Sequence, residues 1–167
     1  MYSVKEMFDD IVLIADMLEE NEIDNFKFPK GISEEDIKDW EKENNILLPD
    51  GYRSFLLLTN GFRNHGTEIY SLEQITQLDF PEDYKGYYVI GSYIGDGSLI
   101  LVDDKGGFYL GDHAGVIDKS TFEAFVEKWI LDDMKDSLKD NDIKLPNNMK
   151  TNKKIRKNSR FYQTKDS

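Results

Sequence analysis

The apolar pattern of this chain changes from a helical to a strand-like period at Asn60 and Gly61, and that switch limits the fold more than any other feature of the sequence. Before it, apolar residues recur every three or four positions. Val4, Met7, Phe8, Ile11, Ala15 and Leu18 mark one buried stripe of a first helix. Asn21 to Lys30 reads as a connector that packs down through Phe26 and Phe28. Ser33 with Asp36 three residues later makes a capping-box-like start, and Ile32 is placed to staple against Ile37. The helix so begun turns Ile37 and Trp40 inward and ends near Asn44 or Asn45, before the extended Ile46, Leu47, Leu48 and Pro49. A third helix follows, with Asp50 as its expected cap, Tyr52, Phe55, Leu56 and Thr59 along one face, and Asn60 with Gly61 as a left-handed stop.

After Gly61 the runs become short and β-prone. Ile69 and Tyr70, Tyr87 to Tyr93, Leu99 to Val102, Phe108 to Leu110, and Val116 to Ile117 are separated by glycine turns, which reads as an antiparallel meander. Gly95, Asp96 and Gly97 suit one hairpin turn, and Asp104, Lys105, Gly106 and Gly107 the next. Ser120 with Glu123 is a second capping box, and Phe122, Phe125, Val126, Trp129, Ile130 and Met134 continue as a helical stripe against the sheet. Helices gather before and after the strands instead of alternating with them, so the class is α+β: an antiparallel sheet of about four to six strands flanked by N-terminal and C-terminal helices.

A chain of 167 residues can bury one sizeable core. Residues 1–138 are expected to form a single domain, and 139–167 a linker and basic tail. Residues 149–167 hold Lys150, Lys153, Lys154, Arg156, Lys157, Arg160 and Lys165 against Asp166, a net +6, which leaves −18 of the formal −12 to the rest. The tail has too few large apolar groups to offset the entropy of ordering, and is expected to be mobile. Its Phe161 and Tyr162 among basic residues could touch phosphates and stack bases, but the acidic body repels nucleic acid, which is not an expected partner. That body instead favours a basic partner.

Several chemistries are excluded at this stage. There is no cysteine, hence no disulfide, thiolate metal site or cysteine nucleophile. The first twenty residues carry Glu6, Asp9, Asp10 and Asp16 and do not read as a signal peptide, and no apolar run approaches the length of a membrane span, so a cytoplasmic protein with no membrane partner is expected. His65 and His113 lack metal-ligand spacing. His113, beside Asp112 with Asp118 nearby, reads as a turn histidine before it reads as a catalytic base. Asp103, Asp104, Gly106 and Gly107 fall short of a calcium loop because Lys105 replaces a ligand, and Gly91, Gly95 and Gly97 do not match the dinucleotide fingerprint. Neither catalytic residues, nor a cofactor, nor a metal is expected.

The stretch from Ile32 to Gly61 resembles the opening motif of the SUKH superfamily, the group of the Smi/Knr cell-wall regulators. The resemblance rests on Ser33 and Glu34, Trp40 and Glu41, Leu48 and Pro49, then Tyr52, Phe55, Leu56, Asn60 and Gly61. YVIGSYIGDGSLILVD from Tyr88 to Asp103, FYLGDH from Phe108 to His113, and STFEAFVEKW from Ser120 to Trp129 resemble its later blocks, in order, so the likeness covers about residues 28–131. It implies a twisted antiparallel sheet flanked by helices, serving as a protein-binding scaffold without catalysis. Bacterial members are similar to immunity proteins that neutralise toxins, often nucleases, by direct binding. Ser33, Trp40, Pro49, Tyr52, Phe55, Asn60, Gly61, Ser120, Phe122 and Trp129 are then structural positions.

The expectation for this chain is an immunity protein whose acidic loops dock on a basic toxin domain. Asp79, Glu82, Asp83, Asp96, Asp103 and Asp104 are its candidate contacts, lying on loops or strand ends beside Tyr84, Tyr87 and Tyr93. The chain itself is expected to be a monomer or weak dimer. The alternative is an intracellular scaffold or regulator of the cell-wall-regulator type.

Overall fold

A computed structural model describes residues 2–79 and 82–146. The expected tail at 149–167 lies outside the described residues. Three helices come first: α1 (Val4–Glu20), α2 (Glu34–Asn44) and α3 (Asp50–Leu58). Seven strands follow: β1 (Phe62–Asn64), β2 (Thr67–Ile69), β3 (Thr76–Gln77), β4 (Tyr88–Tyr93), β5 (Ser98–Val102), β6 (Phe108–Gly111) and β7 (Ile117–Ser120). Single 3-10 turns at Leu72–Gln74 and Glu82–Tyr84 interrupt the connections on either side of β3. The chain ends its described part with α4 (Phe122–Val126), a π-helical turn (Glu127–Leu131) and α5 (Asp132–Asp140).

The sheet is antiparallel throughout, in the order β1-β2-β4-β5-β6-β7, with β3 pairing the end of β4 that holds Tyr88. The fold is α+β with helices flanking the sheet, as the change of period implies. The short strands β1 and β3 were not expected from the sequence.

Helix α1 is more deeply placed than a single stripe predicts. Val12, Leu13 and Ile14 are buried along with Met7, Phe8, Ile11 and Leu18, because α1 packs against α3, α4, the π-turn and α5. Its start is fixed by Ser3, whose hydroxyl accepts from the Glu6 N–H. On the sheet, Ile69, Ile90, Ile100, Val102 and Phe108 complete this core from below. Rings from Phe8 through Phe55 and Phe122 to Phe108, Phe125 and Tyr93 run in edge-on and tilted contact across it.

Four local expectations are corrected. The residue preceding α3 is Pro49, with no side-chain cap, and Asp50 is the first helical residue. The same helix stops at an extended Thr59 (φ −152°), and Gly61 takes its positive φ of 105° in the turn beyond. The last helical segment is capped by Thr121, whose side chain accepts from the Ala124 N–H, while Ser120 closes β7. Trp40 and Trp129, expected inside, are half-buried at the margin of the core.

Candidate functional site

Strand alternation sends side chains to both faces of the sheet, and only one face meets the helices. Leu99, Leu101, Val89, Tyr109 and Ile117 point to the other side. There they form a second apolar cluster with Tyr70, Leu78, Tyr84 and Tyr87. No residue of α1 to α5 belongs to this cluster. It is a shallow, tyrosine-rich surface, with Tyr84, Val89 and Leu101 buried and the other six side chains half-buried.

Tyr84 anchors it. Its hydroxyl donates to the Asp112 carbonyl, and its ring lies so close to Gly111 that a Cβ there would sit 2.9 Å from a ring carbon. Burial, together with Asp112 and Asp83, pushes the Tyr84 hydroxyl pKa up.

At the other end of the strands, Asp103 organises the β5–β6 turn. Its Oδ1 accepts from the Lys105 and Gly107 N–H groups at 2.8 Å each, and its Oδ2 accepts from the Tyr109 hydroxyl at 2.8 Å. Burial pushes the Asp103 carboxyl up, but the hydrogen bonds from Gly107, Lys105 and Tyr109 together outweigh it and leave the group below the usual carboxylate range. The same bond raises the Tyr109 hydroxyl, since losing its proton would set two anions side by side. Tyr109 also meets Tyr87 edge to face, with centroids 5.3 Å apart.

Residues 31–142 match the model of the SMI1 / KNR4 family (SUKH-1). The chain belongs to this family. A relative described as uncharacterized protein YnaB, from Bacillus subtilis (strain 168), is 33% identical over 81 residues, which is 48% of this chain and 56% of that protein. The match to the relative thus spans little more than half of its length.

Several of the SUKH motif residues make hydrogen bonds within the fold. Ser33 caps α2 by accepting from the Asp36 N–H at 3.1 Å. Glu41 is buried, accepts from the Leu48 N–H at 2.7 Å and shares Arg53 with Glu34, so the extended linker is tied to both helices it joins. Desolvation is the largest single influence on the Arg53 pKa and lowers it, but the hydrogen bonds and charges of Glu34 and Glu41 together outweigh it and leave the pKa raised. The Tyr52 hydroxyl donates to the Tyr70 carbonyl at 2.7 Å, and burial, with Glu73, drives its pKa far up. Asn60 accepts from the Leu72 N–H at 3.0 Å, and Gly61 passes so near Ser71 that a Cβ would stand 3.1 Å from its nitrogen.

The nine candidate contact residues separate into groups. Tyr84 and Tyr87 lie in the second cluster, and Asp103 joins them through Tyr109. Asp79, Glu82 and Asp83 are exposed in the segment carrying Leu78 and Tyr84, and Asp104 is exposed in the turn begun by Asp103. The Asp104 carbonyl accepts from the Leu47 N–H, which fixes that turn to the linker before α3. Asp96 sits in the hairpin at the far end of β4 and β5, accepting from the Ser98 N–H at 3.0 Å.

Tyr93 is on the helix side, buried against Phe125 and Trp129. The cause is a β-bulge. Val89 pairs with Leu101 but Gly91 pairs with Ile100, so Ile90 is an extra residue that shifts the alternation of β4 by one. Strict alternation from Val89 would have put Tyr93 on the open face.

Sequence reasoning missed Tyr70, Leu78, Leu99, Tyr109 and Ile117. Alternation within LILV and FYLG was the available signal, because Leu99, Leu101 and Tyr109 share one face by parity.

The histidines form no joint site. His65 Nε2 lies 2.6 Å from Asp24 and Nδ1 3.4 Å from Asp133, on the edge of the fold. His113 is exposed with Asp96 at 3.5 Å, whereas the Asp112 carboxylate accepts from the N–H groups of Ala114 and Val116. Among the described residues no helix is long and apolar enough to cross a membrane.

Proposed function

We propose that this SUKH protein is a non-enzymatic immunity protein that neutralises a basic toxin domain by docking it on the open face of the sheet. The observation that carries this reading is the second apolar cluster: four tyrosines on a face to which no α-helix contributes. Tyrosine offers a large, stiff contact area with a polar tip, which suits a surface that is wet when free and covered when bound. Asp79, Glu82, Asp83, Asp103 and Asp104 border the cluster and would steer a basic partner towards it. Membership of a family whose bacterial members resemble immunity proteins supports the same assignment.

The test is capture from host lysate at low and high salt by the wild-type protein, by Tyr87→Ala, and by Lys128→Glu as a control on the helix side. A basic polypeptide is expected that is toxic when expressed alone and harmless when co-expressed with the wild type. It should be held by the wild type and the control, lost from Tyr87→Ala, and released by salt. Equal retention by Tyr87→Ala would remove the face from the account. Capture of non-toxic envelope or metabolic proteins alone would favour the scaffold reading.

A further inference from the structure

We infer that Tyr87, Tyr109 and Asp103 form a receptor for a single arginine side chain of the partner. This deepens the docking reading and rests on it.

Two of the three groups are already locked. Asp103 receives the Lys105 and Gly107 N–H groups on one oxygen and the Tyr109 hydroxyl on the other, so the rotamers of Asp103 and Tyr109 are fixed before anything binds. A carboxylate offers about four acceptor positions. Three are used within the turn, which leaves one on Oδ2, beside the Tyr109 hydroxyl. Tyr87 and Tyr109 meet at an interplanar angle of 76°, so each ring keeps at least one face that its neighbour does not cover. Both rings and Asp103 are half-buried, which weakens solvent screening without closing the site.

A cation held by one carboxylate lone pair and the faces of two phenol rings must tolerate few hydrogen bonds. Guanidinium does so: it is weakly hydrated, flat enough to stack on tyrosine, and able to give one N–H to Oδ2 while its other donors stay in water. An ammonium group is strongly hydrated and presents a compact point charge, so it gains less from ring faces. Asp104, exposed next to Asp103, and Asp79, exposed next to Leu78 of the cluster, carry charge that suits the same cation. Lys119 opposes it. It pairs directly with Tyr109 across β6 and β7 and therefore stands on the same face. Its ammonium weakens the site and supplies a variant of opposite sign.

The experiment is an amide-resolved NMR titration of the full chain with acetyl-Gly-Arg-Gly-amide, and with the same peptide carrying citrulline or lysine. The arginine peptide should shift Lys105, Gly107 and Tyr109, the lysine peptide should do so more weakly, and the citrulline peptide hardly at all. Asp103→Asn should weaken the arginine response by roughly tenfold, the scale of a lost hydrogen bond to a charged group. Lys119→Gln should tighten it by roughly two- to threefold, the scale of a surface charge pair. If Asp103→Asn loosens the turn itself, Tyr87→Leu, which leaves Asp103 and its hydrogen bonds in place, should still reduce the response. Arginine shifts spread evenly over the acidic surface, or unchanged in Tyr87→Leu and Asp103→Asn, would overturn the receptor. That failure would leave the docking face standing if Tyr87→Ala still lost the captured toxin, whereas retention of the toxin would remove the face whatever the peptide did.

Discussion

The two faces of the sheet are built from the same strands and carry different chemistry. The helix side is closed by Ile90, Ile100, Val102 and Phe108 against Phe55, Phe122, Phe125 and α1, with each of these side chains almost wholly buried. On the open side lie Tyr70, Tyr84, Tyr87 and Tyr109, with Leu78, Leu99 and Ile117 half-exposed between them. Aliphatic and phenylalanine side chains stabilise in proportion to the apolar area removed from water, and whatever stays exposed contributes nothing. Tyrosine tolerates partial exposure because its hydroxyl can be solvated or paired, as those of Tyr84 and Tyr109 are. One face is thus committed to folding, and the other keeps apolar area whose burial is still to be gained.

This contrast breaks if the open face proves to be a second core. Phe122→Ala should cost about 3–5 kcal/mol, because it empties a site surrounded by Tyr52, Phe55 and Phe108. Ile117→Ala, on the edge strand of the open side, should cost about 1 kcal/mol, since much of its surface is wet in the folded state. Urea unfolding of both variants measures the difference. Equal costs would mean that the open face stabilises the fold as the helix side does, and its role as a docking surface would lose its basis.

The junction between sheet and last helix gives a sharper comparison, between neighbouring residues. Thr121→Ala should cost about 1 kcal/mol because the hydroxyl that accepts from the Ala124 N–H is removed, while Ser120→Ala should change stability by only a few tenths of a kcal/mol. Thermal melts of the pair decide it, and a larger loss in Ser120→Ala would return the cap to the sequence-expected position.

The same junction shows what could be read from the sequence. The presence and order of the helices and the main strands were legible, because burial on one side of each element imposes a period. The stops, caps and irregularities were not. Ser-x-x-Glu and Thr-x-x-Ala overlap at 120–124, and only the backbone decides which hydroxyl reaches an N–H. The π-turn at Glu127–Leu131 inserts a residue that buries Ile130 and Leu131 together and leaves Trp129 at the margin, so a constant helical period misplaced the tryptophan. In β4 the bulge at Ile90 did the same to Tyr93. The candidate site was legible in its acids and in Tyr84 and Tyr87. Tyr109 was not, because its pairing with Asp103 closes only when the β5–β6 turn brings β6 back beside β5.

Acid should separate the two faces. The Asp103 carboxyl titrates below its ordinary range in the folded protein, so its contribution to stability is present above about pH 4, the unfolded value, and is lost as pH falls through the lower folded value. Hydrogen exchange at the Gly107 and Lys105 amides should therefore accelerate relative to helix-side amides as pH falls below about 4, after correction for intrinsic rates. In Asp103→Asn the turn should lose that dependence. An acid response of the turn that persists unchanged in Asp103→Asn would assign it to other carboxylates.

The smallest effect concerns the price of the shift in β4. Ile94, immediately after Tyr93, has φ 68°, a left-handed conformation that a β-branched residue adopts only under strain. Its side chain is 52% exposed, so little packing opposes its removal. Ile90 opens the stretch whose alternation is reversed and Ile94 closes it, which places the strain where a strand carrying Tyr93 to the helix side must turn back towards β5. Ile94→Gly should relieve the strain, and part of the gain should be offset by the greater entropy of glycine in the unfolded chain, for a net stabilisation of about 0.5 kcal/mol. The melting temperature should then rise by about 1–2 °C, with the Tyr93 contacts to Phe125 and Trp129 unchanged. A fall instead would show that the exposed Ile94 side chain contributes more to the folded state than its conformation costs, and the hairpin tip would join the helix side as part of the structure that holds Tyr93 in place.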